Sequence, residues 1–388
     1  MSVDFVLSDE QQAFRDLART VASDTITPAA SGTDAASEPL PSSERRRLAE
    51  LGFLGICLPA EYGGAARPLL DALIVLEELA KRSQLAAFQV FEANTGPARV
   101  VDLFGSEGQK AHLLPPIVAG EKTMAVAISE PEAGSAATDL TTRARKDGHA
   151  YIINGVKRWC SGAGHAEQYL VYARLTEEPG AKAIGALVVD SDTQGISFGP
   201  RERLMGFEGI PSADIFLDDV RVPATNLIVD AGGFGRLFTA FSIERLGNAT
   251  MSLAIGQASL DRTARYVQER RQFGKPLVEF QMIQSALADM IMQVEAARLL
   301  IYRAAQAAGR HAPVPLEASL AKCFANEMAV RVSDLAMMLH GGYGYSREYG
   351  VERLHRDAHG WAIAGGTPDM QRIRIVSEYL SRRFDQRD

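Results

Sequence analysis

At residues 241–245 the chain reads Phe241-Ser242-Ile243-Glu244-Arg245, a carboxylate set among apolar neighbours. Wound as a helix at 100° per residue, Leu237, Phe241, Glu244, Met251 and Ile255 fall within about 80° of one another, so the acid lies in an apolar stripe. Burial of that kind raises a carboxyl pKa toward the range of a useful general base. The competing reading is a helix-surface Glu or a structural ion pair. Arg245, one residue on, cannot face Glu244 and is free to meet a different part of a ligand. Three other stretches carry residues suited to chemistry: Lys157-Arg158-Trp159-Cys160-Ser161, Glu269-Arg270-Arg271-Gln272-Phe273-Gly274 and Gly341-Gly342-Tyr343-Gly344. Standing alone, each has a bland reading as a core Trp before a plain turn, a solvated helix end, and a flexible loop. Cys57, Cys160 and Cys323 lie far apart without a CxxC pair, which suggests neither a disulfide framework nor a metal site.

The elements that must position these residues follow from texture. Ser8-Asp9-Glu10-Gln11 is a capping-box pattern with Phe14, Leu17 and Val21 behind it at helical spacing, so the chain opens on a helix. Further helical patterns occupy 44–51, 69–81 and 85–104, divided by Pro/Gly punctuation, and the first 120 residues read as all-α. The stretches 150–159, 168–175, 183–189 and 213–222 are short β-branched or aromatic runs separated by turn residues, which predicts a small antiparallel β domain. Helical periodicity returns beyond Gly235, with Leu246, Ala249, Leu253, Leu260 and Val267 on one stripe and Phe280, Ile283, Leu287 and Val294 on the next. The expected architecture is α+β and multidomain: an N-terminal α-helical domain over 1–120, a β domain over 121–230 and a C-terminal four-helix bundle over 231–388. This is not the βαβα rhythm of a parallel sheet, and no GxGxxG follows a strand, so a Rossmann site is disfavoured.

Composition bounds the function classes. The 388 residues are 46% hydrophobic and 23% charged with a formal net charge of −7, the balance of an ordinary globular protein and a poor match to nucleic acid. Met1-Ser2-Val3-Asp4 starts no signal-peptide pattern and no apolar run reaches the ~20 residues of a spanning helix, so a cytoplasmic protein without a membrane partner is expected.

Ala127-Ile128-Ser129-Glu130-Pro131-Glu132-Ala133-Gly134-Ser135 resembles the first signature of the acyl-CoA dehydrogenase family, and Gly341-Gly342-Tyr343-Gly344-Tyr345-Ser346-Arg347-Glu348 with Arg353 and Asp357 resembles the second. The three stretches between them, including Asp218-Asp219-Val220-Arg221-Val222-Pro223, stand in family order, and the resemblance spans essentially the whole chain. It implies that FAD is held between the β domain and the C-terminal bundle, with its dinucleotide tail reaching a neighbouring subunit of a homotetramer. Ile128, Ser129, Trp159 and Ser161 are then expected around the isoalloxazine, Arg270, Gln272 and Phe273 at the pyrophosphate and adenine, and Gly341, Gly342 and Thr367 along the cofactor. Ser135, Ser242, Arg245 and Glu92 are expected to meet an acyl thioester, carried on CoA or on a carrier protein. The implied reaction is α,β-dehydrogenation, with an electron-transfer flavoprotein as acceptor; the reductase direction and an oxidase- or monooxygenase-type relative are the alternatives.

The catalytic base is where the sequence departs from the common family pattern. Most members carry it in a late Tyr-Glu-Gly-Thr-like segment, and here Ile363-Ala364-Gly365-Gly366-Thr367-Pro368 puts Gly365 at that place. A minority carries the base on the first long helix of the bundle, immediately before an Arg, which selects Glu244. Ala136 and Met338 replace residues that commonly support the cofactor, and Ser242 stands where some members have an Asp. Glu92 and Asn94 fall in the helix that usually lines the acyl pocket, with a surface position as the equal alternative.

Overall fold

The structure, a computed structural model, describes residues 6–24 and 38–384; Met1 to Asp4 lie outside them. Among the described residues six α-helices come first: α1 (Asp9–Asp24), α2 (Ser42–Glu50), α3 (Leu69–Arg82), α4 (Gln84–Asn94), α5 (Pro97–Phe104) and α6 (Glu107–Val118). The expected capping box closes α1: the Ser8 hydroxyl accepts from the Gln11 amide at 3.2 Å and the Gln11 side chain accepts from the Ser8 amide at 3.2 Å. Of its apolar residues Val21 is buried and Phe14 partly so, whereas Leu17 faces solvent.

The single helix expected over 85–104 is two. Pro97 has no N–H to continue α4 and disfavours a helical Gly96, whose backbone sits at φ −90°, ψ −146°. A Cβ on Gly96 would lie 2.8 Å from the Glu92 carbonyl oxygen, so the break is also sterically tight. Helix α6 lies beyond the three helical patterns named from the sequence but within the stretch read as all-α; Pro115 and Pro116 sit near its end, and its start is fixed by a Ser106/Gln109 capping box.

Eight strands follow: β1 (Met124–Ala127), β2 (Arg143–Asp147), β3 (Ala150–Ser161), β4 (Gln168–Arg174), β5 (Ile184–Asp190), β6 (Ile196–Phe198), β7 (Ser212–Pro223) and β8 (Leu227–Val229). They form one sheet in the order β6-β7-β3-β2-β4-β5-β8, antiparallel except that β1 joins β4 in parallel and β2 touches β4 in parallel at Arg143 and Arg174. Strand β4 shows why the middle runs read as continuously apolar. Leu170 and Tyr172 pack into the core shared with the helices, while Tyr169, Val171 and Ala173 fill a second core on the opposite face.

The C-terminal part is α7 (Phe234–Glu269), a short ribbon of β9 (Arg271–Gln272) with β10 (Lys275–Pro276), then α8 (Gln281–Ala308), α9 (Pro315–His340), α10 (Val351–Ile363) and α11 (Pro368–Tyr379). Helix α9 packs against α7, α8, α10 and α11, and α3 packs on α7, which joins the two helical regions through one hydrophobic core. The order of a helical N-terminal part, a middle sheet and a helical C-terminal part is the one the sequence predicts.

Candidate active site

Glu244 stands on the face of α7 that the spacing assigns it. Leu237, Met251 and Ile255 on that stripe are fully buried, and Phe241 meets Tyr172 of β4 edge-on with ring centres 6.3 Å apart. Part of the Glu244 side chain remains accessible, although protein surrounds the carboxyl closely enough to control its ionisation. Burial pushes its pKa up from 4.5 to about 7, against the opposing charges of Arg245 and Lys322. The carboxylate also lies beside the turn between α10 and α11: a Cβ built on Gly365 would be 3.5 Å from Glu244 Oε1. The two positions at which a base is expected from the resemblance are therefore neighbours in space. Gly365 itself has φ +66°, in the left-handed region that favours glycine.

Glu92 comes from α4 toward the same place. Its Oε2 is buried without a hydrogen-bond partner, and burial, followed by the charge of Glu244, raises its pKa well above the ordinary carboxylate value. The same two causes raise the Tyr172 phenol. Asn94 is different in kind. It is 1% exposed, its amide donates to the carbonyls of Phe53 and Val90 at 2.8 and 3.0 Å, and its oxygen accepts from the Cys57 amide at 3.0 Å. The surface alternative fails for both residues, and Asn94 is a structural tie between α4 and the 53–57 turn.

Ser242 and Arg245 are also buried, with the Ser242 hydroxyl and the Nε and Nη1 of Arg245 unpartnered. Burial and the charge of Arg374 lower the Arg245 pKa to about 10, and both guanidinium groups lie 5.4 Å from the Phe238 ring centre. Ser135 is exposed, in the loop after β1.

The first signature and the end of β3 are fastened together. The Lys157 ammonium donates to the Ile128 carbonyl at 3.0 Å and to Glu130 Oε1 at 2.8 Å, and the Arg158 amide donates to the Ser129 carbonyl at 2.8 Å. Burial works against Glu130, yet the Lys157 charge and hydrogen bonds from Lys157, Thr142 and Thr141 hold its pKa at about 2. This buried pair places Ile128 and Ser129 beside the Trp159–Ser161 segment. Nothing in the local pattern distinguishes Lys157 from a strand-surface lysine; only the pairing reveals it. Next to it the β3–β7 register slips between Lys157 and Cys160, and Trp159 takes φ +60°. The bulge turns the indole out of the sheet, 51% exposed, with the Arg158 guanidinium 4.2 Å from its ring centre. The core reading of this Trp is thereby removed. Ser161 is half-buried at the strand end, opposite Ser212.

The remaining expected cofactor residues lie on the C-terminal part. Arg270 and Gln272 are exposed, and Phe273 is 94% exposed at φ +52°. Arg270 reaches over Tyr343, 5.4 Å from its ring centre, which brings it to the single helical turn Gly342–Tyr345 that Gly341 precedes. Both glycines are exposed with open space where a Cβ would stand; Gly341 needs its φ of +61°. The tight approach is made by Gly344, whose Cβ would lie 2.4 Å from the Met337 carbonyl oxygen of its own chain. Thr367 accepts from the Met370 amide at 3.4 Å and so caps α11. Met338 and Ala136 are exposed. Among the described residues no cluster of potential metal ligands is present and no helix is long and apolar enough to cross a membrane.

With this arrangement established, comparison with known proteins covers the chain from end to end. Residues 8–121, 125–220 and 231–380 match the acyl-CoA dehydrogenase N-terminal, middle and C-terminal domains respectively. The chain is 37% identical to a 3-(aryl)acrylate reductase of Clostridium sporogenes, over 96% of this chain and 99% of that one. It is also 37% identical to a 3-sulfinopropanoyl-CoA desulfinase of Paraburkholderia xenovorans, over 99% of each. The solved structure of butyryl-CoA dehydrogenase from Megasphaera elsdenii superposes with a TM-score of 0.93 at 34% identity, covering 97% of this chain and all of that one. The chain therefore belongs to the acyl-CoA dehydrogenase family, the FAD-dependent oxidoreductases that act on a CH–CH bond.

Proposed function

We propose that the chain dehydrogenates the α,β bond of an acyl-CoA thioester, with Glu244 as the base that removes the α-proton. The observation that carries this reading is a carboxylate held near pH 7 in an apolar helix face, against the turn where other members place their base. A base of that pKa is half ionised at neutrality, so it can take a proton from carbon and, protonated, return one in the reductive direction. The similarity to an arylacrylate reductase supports that second direction equally.

The residues present fit a flavin. An indole held out of the sheet by a left-handed bulge, two serines at adjacent strand ends and an arginine over a tyrosine beside a glycine turn suit an aromatic cofactor with a diphosphate. Ile128, Ser129, Trp159 and Ser161 would hold the ring system, and Arg270, Gln272, Phe273, Gly341, Gly342 and Thr367 the remainder. The chemistry that bound FAD supplies is acceptance of the β-hydride at N5. Within the chain, Glu244 holds the proton at its carboxylate and Arg245 and Lys322 moderate its charge. Ser242 and Arg245 offer unpartnered donors to the thioester ligand, with Ser135 at the margin, and Glu92 borders the acyl side. Exposed Phe273, Met282 and Met338 support a subunit interface over that surface, with a tetramer as the assembly. We further infer a cytoplasmic enzyme with an electron-transfer flavoprotein as its redox partner.

The test is anaerobic mixing of the FAD-loaded enzyme with a panel of straight-chain, branched and aryl-substituted acyl-CoA esters. At least one ester should bleach the flavin in the natural protein, and Glu244→Gln should slow that ester. A panel that leaves the flavin oxidised, or a variant as fast as the natural protein, would refute the reading.

A further inference from the structure

The buried lysine on α9 touches neither the expected acyl nor the expected cofactor residues, and its hold on the turn beside Glu244 adds to the charge it exerts there. Lys322 is 0% exposed, and its ammonium donates to two neutral oxygens, the Gly366 carbonyl at 2.9 Å and Asn326 Oδ1 at 2.8 Å. Asn326 in turn donates to Asn248 Oδ1 at 2.9 Å and to the Ser252 hydroxyl at 2.7 Å, and Asn248 donates to the carbonyls of Trp361 and Ala364 at 3.1 and 3.2 Å. Lys322, Asn326, Asn248 and Ser252 are all at least 98% buried, so α7, α9 and the 364–366 turn are joined by one closed polar network. The network surrounds Gly365: the Cβ position there lies 3.5 Å from Glu244 Oε1, 3.6 Å from Lys322 Cε and 4.0 Å from Asn248 Nδ2.

An ammonium without a countercharge is among the costliest groups to bury, and neutral hydrogen bonds offset only part of that. The anion facing Lys322 across Gly365 is Glu244. We propose that Lys322 is a positioning residue for the base: its ammonium, anchored by the Gly366 carbonyl and Asn326, fixes the Gly365–Gly366 turn against Glu244 and supplies the charge that keeps the carboxylate ionised. The proposal rests on the reading of Glu244 as the base.

The charges around the pair set the sign of its effect. The charges and titratable groups acting on Glu244 are Arg245 of its own helix, Lys322 of α9, Glu92 of α4 and Tyr172 of β4; those acting on Lys322 are Glu244 and Arg245 of α7, with Cys323 beside it. Burial, then Arg245, lowers the Lys322 pKa to about 7 while Glu244 opposes that shift. Arg374 of α11 acts on the pair through Arg245. Removing the Lys322 charge leaves burial of Glu244 less opposed, so its pKa must rise, and the rising limb of the dehydrogenation rate must move to higher pH. A lysine that only filled space would leave that limb where it is.

The experiment follows the Glu244 carboxyl by infrared titration of the full-length, FAD-loaded enzyme, with Glu244→Gln as the blank. Lys322→Gln keeps an N–H for the Gly366 carbonyl but removes the charge; Lys322→Met removes both the charge and the hydrogen bonds. Either variant that loads FAD suffices, and each should raise the carboxyl midpoint by about one pH unit. A midpoint unmoved in either loaded variant overturns the proposal while leaving Glu244 as base. If Glu244→Gln removes no band titrating near neutrality, the reading of the base falls first and the role of Lys322 falls with it.

Discussion

Replacing Glu244 by Gln tests chemistry and stability with one change, because the two respond in opposite directions. The amide keeps the side chain's shape but cannot take a proton, so flavin reduction by a responsive acyl-CoA should slow by at least ~10² without a matching loss of affinity. In the natural protein the dehydrogenation rate should rise through about pH 7, because the ionised form is the competent one. One unit below that, about a tenth of the carboxyl is ionised and the rate should fall about tenfold. The stability argument uses the same shift. The folded pKa is raised, from 4.5 to about 7, so between those values the folded protein binds more protons than the unfolded chain and loses stability as pH rises. At about 1.4 kcal/mol per unit, the ionised carboxylate costs the fold about 3 kcal/mol above pH 7. Glu244→Gln removes that cost, so its melting temperature should exceed that of the natural protein at pH 8 and lose the advantage by pH 5. Stopped-flow absorbance and thermal melts at the two pH values check both halves. A slow variant with no pH-dependent gain in stability would refute the buried-carboxylate argument; a stabilised variant of undiminished rate would refute the role of base.

Ser161→Ala should lower the flavin reduction rate more than acyl-thioester affinity, read by comparing single-turnover rates with ligand titration; equal rates with weakened binding would contradict its placement at the flavin. Lys157→Met strands the Glu130 carboxylate in the β-sheet interior and should cost about 3–5 kcal/mol in denaturant unfolding, together with loss of bound FAD. Phe273→Glu should leave the protomer folded but reduce its assembly and FAD retention, measured by sedimentation and by the absorbance of the purified protein; an unchanged oligomer would remove Phe273 from the interface.

The parts of the site readable from sequence are those fixed by local periodicity. Glu244 falls in its apolar stripe because the 3.6-residue repeat alone decides which face it shares with Leu237 and Met251, and the structure keeps that face. The Ser8–Gln11 cap is legible for the same reason. What could not be read depends on partners distant in the chain. Lys322 looks like any helix lysine until the Gly366 carbonyl, 44 residues on, accepts its hydrogen bond. Lys157 is exposed or buried according to Glu130, 27 residues back. Trp159 has the composition of a core strand residue, and only the slip in pairing with β7 turns it outward. The parallel entry of β1 beside β4 was hidden because four residues, Met124–Ala127, are too few to show an alternation.

The closeness of Gly365 to Glu244 has a consequence for how this lineage can change. A glutamate arising at position 365 while Glu244 persists would bring a second negative charge to the first and take an unfavourable backbone conformation at φ +66°. Each acid would push the other's pKa upward, and the doubled site would hold a proton where it needs a free carboxylate. With Glu244 as the proposed base, its loss first should leave the site without one. On the proposed reading of Glu244 as the base, both single-step routes between a helix-borne and a turn-borne base should cross a less active intermediate. Descendants of a chain that has settled on one should keep it even while the acyl pocket around it diversifies.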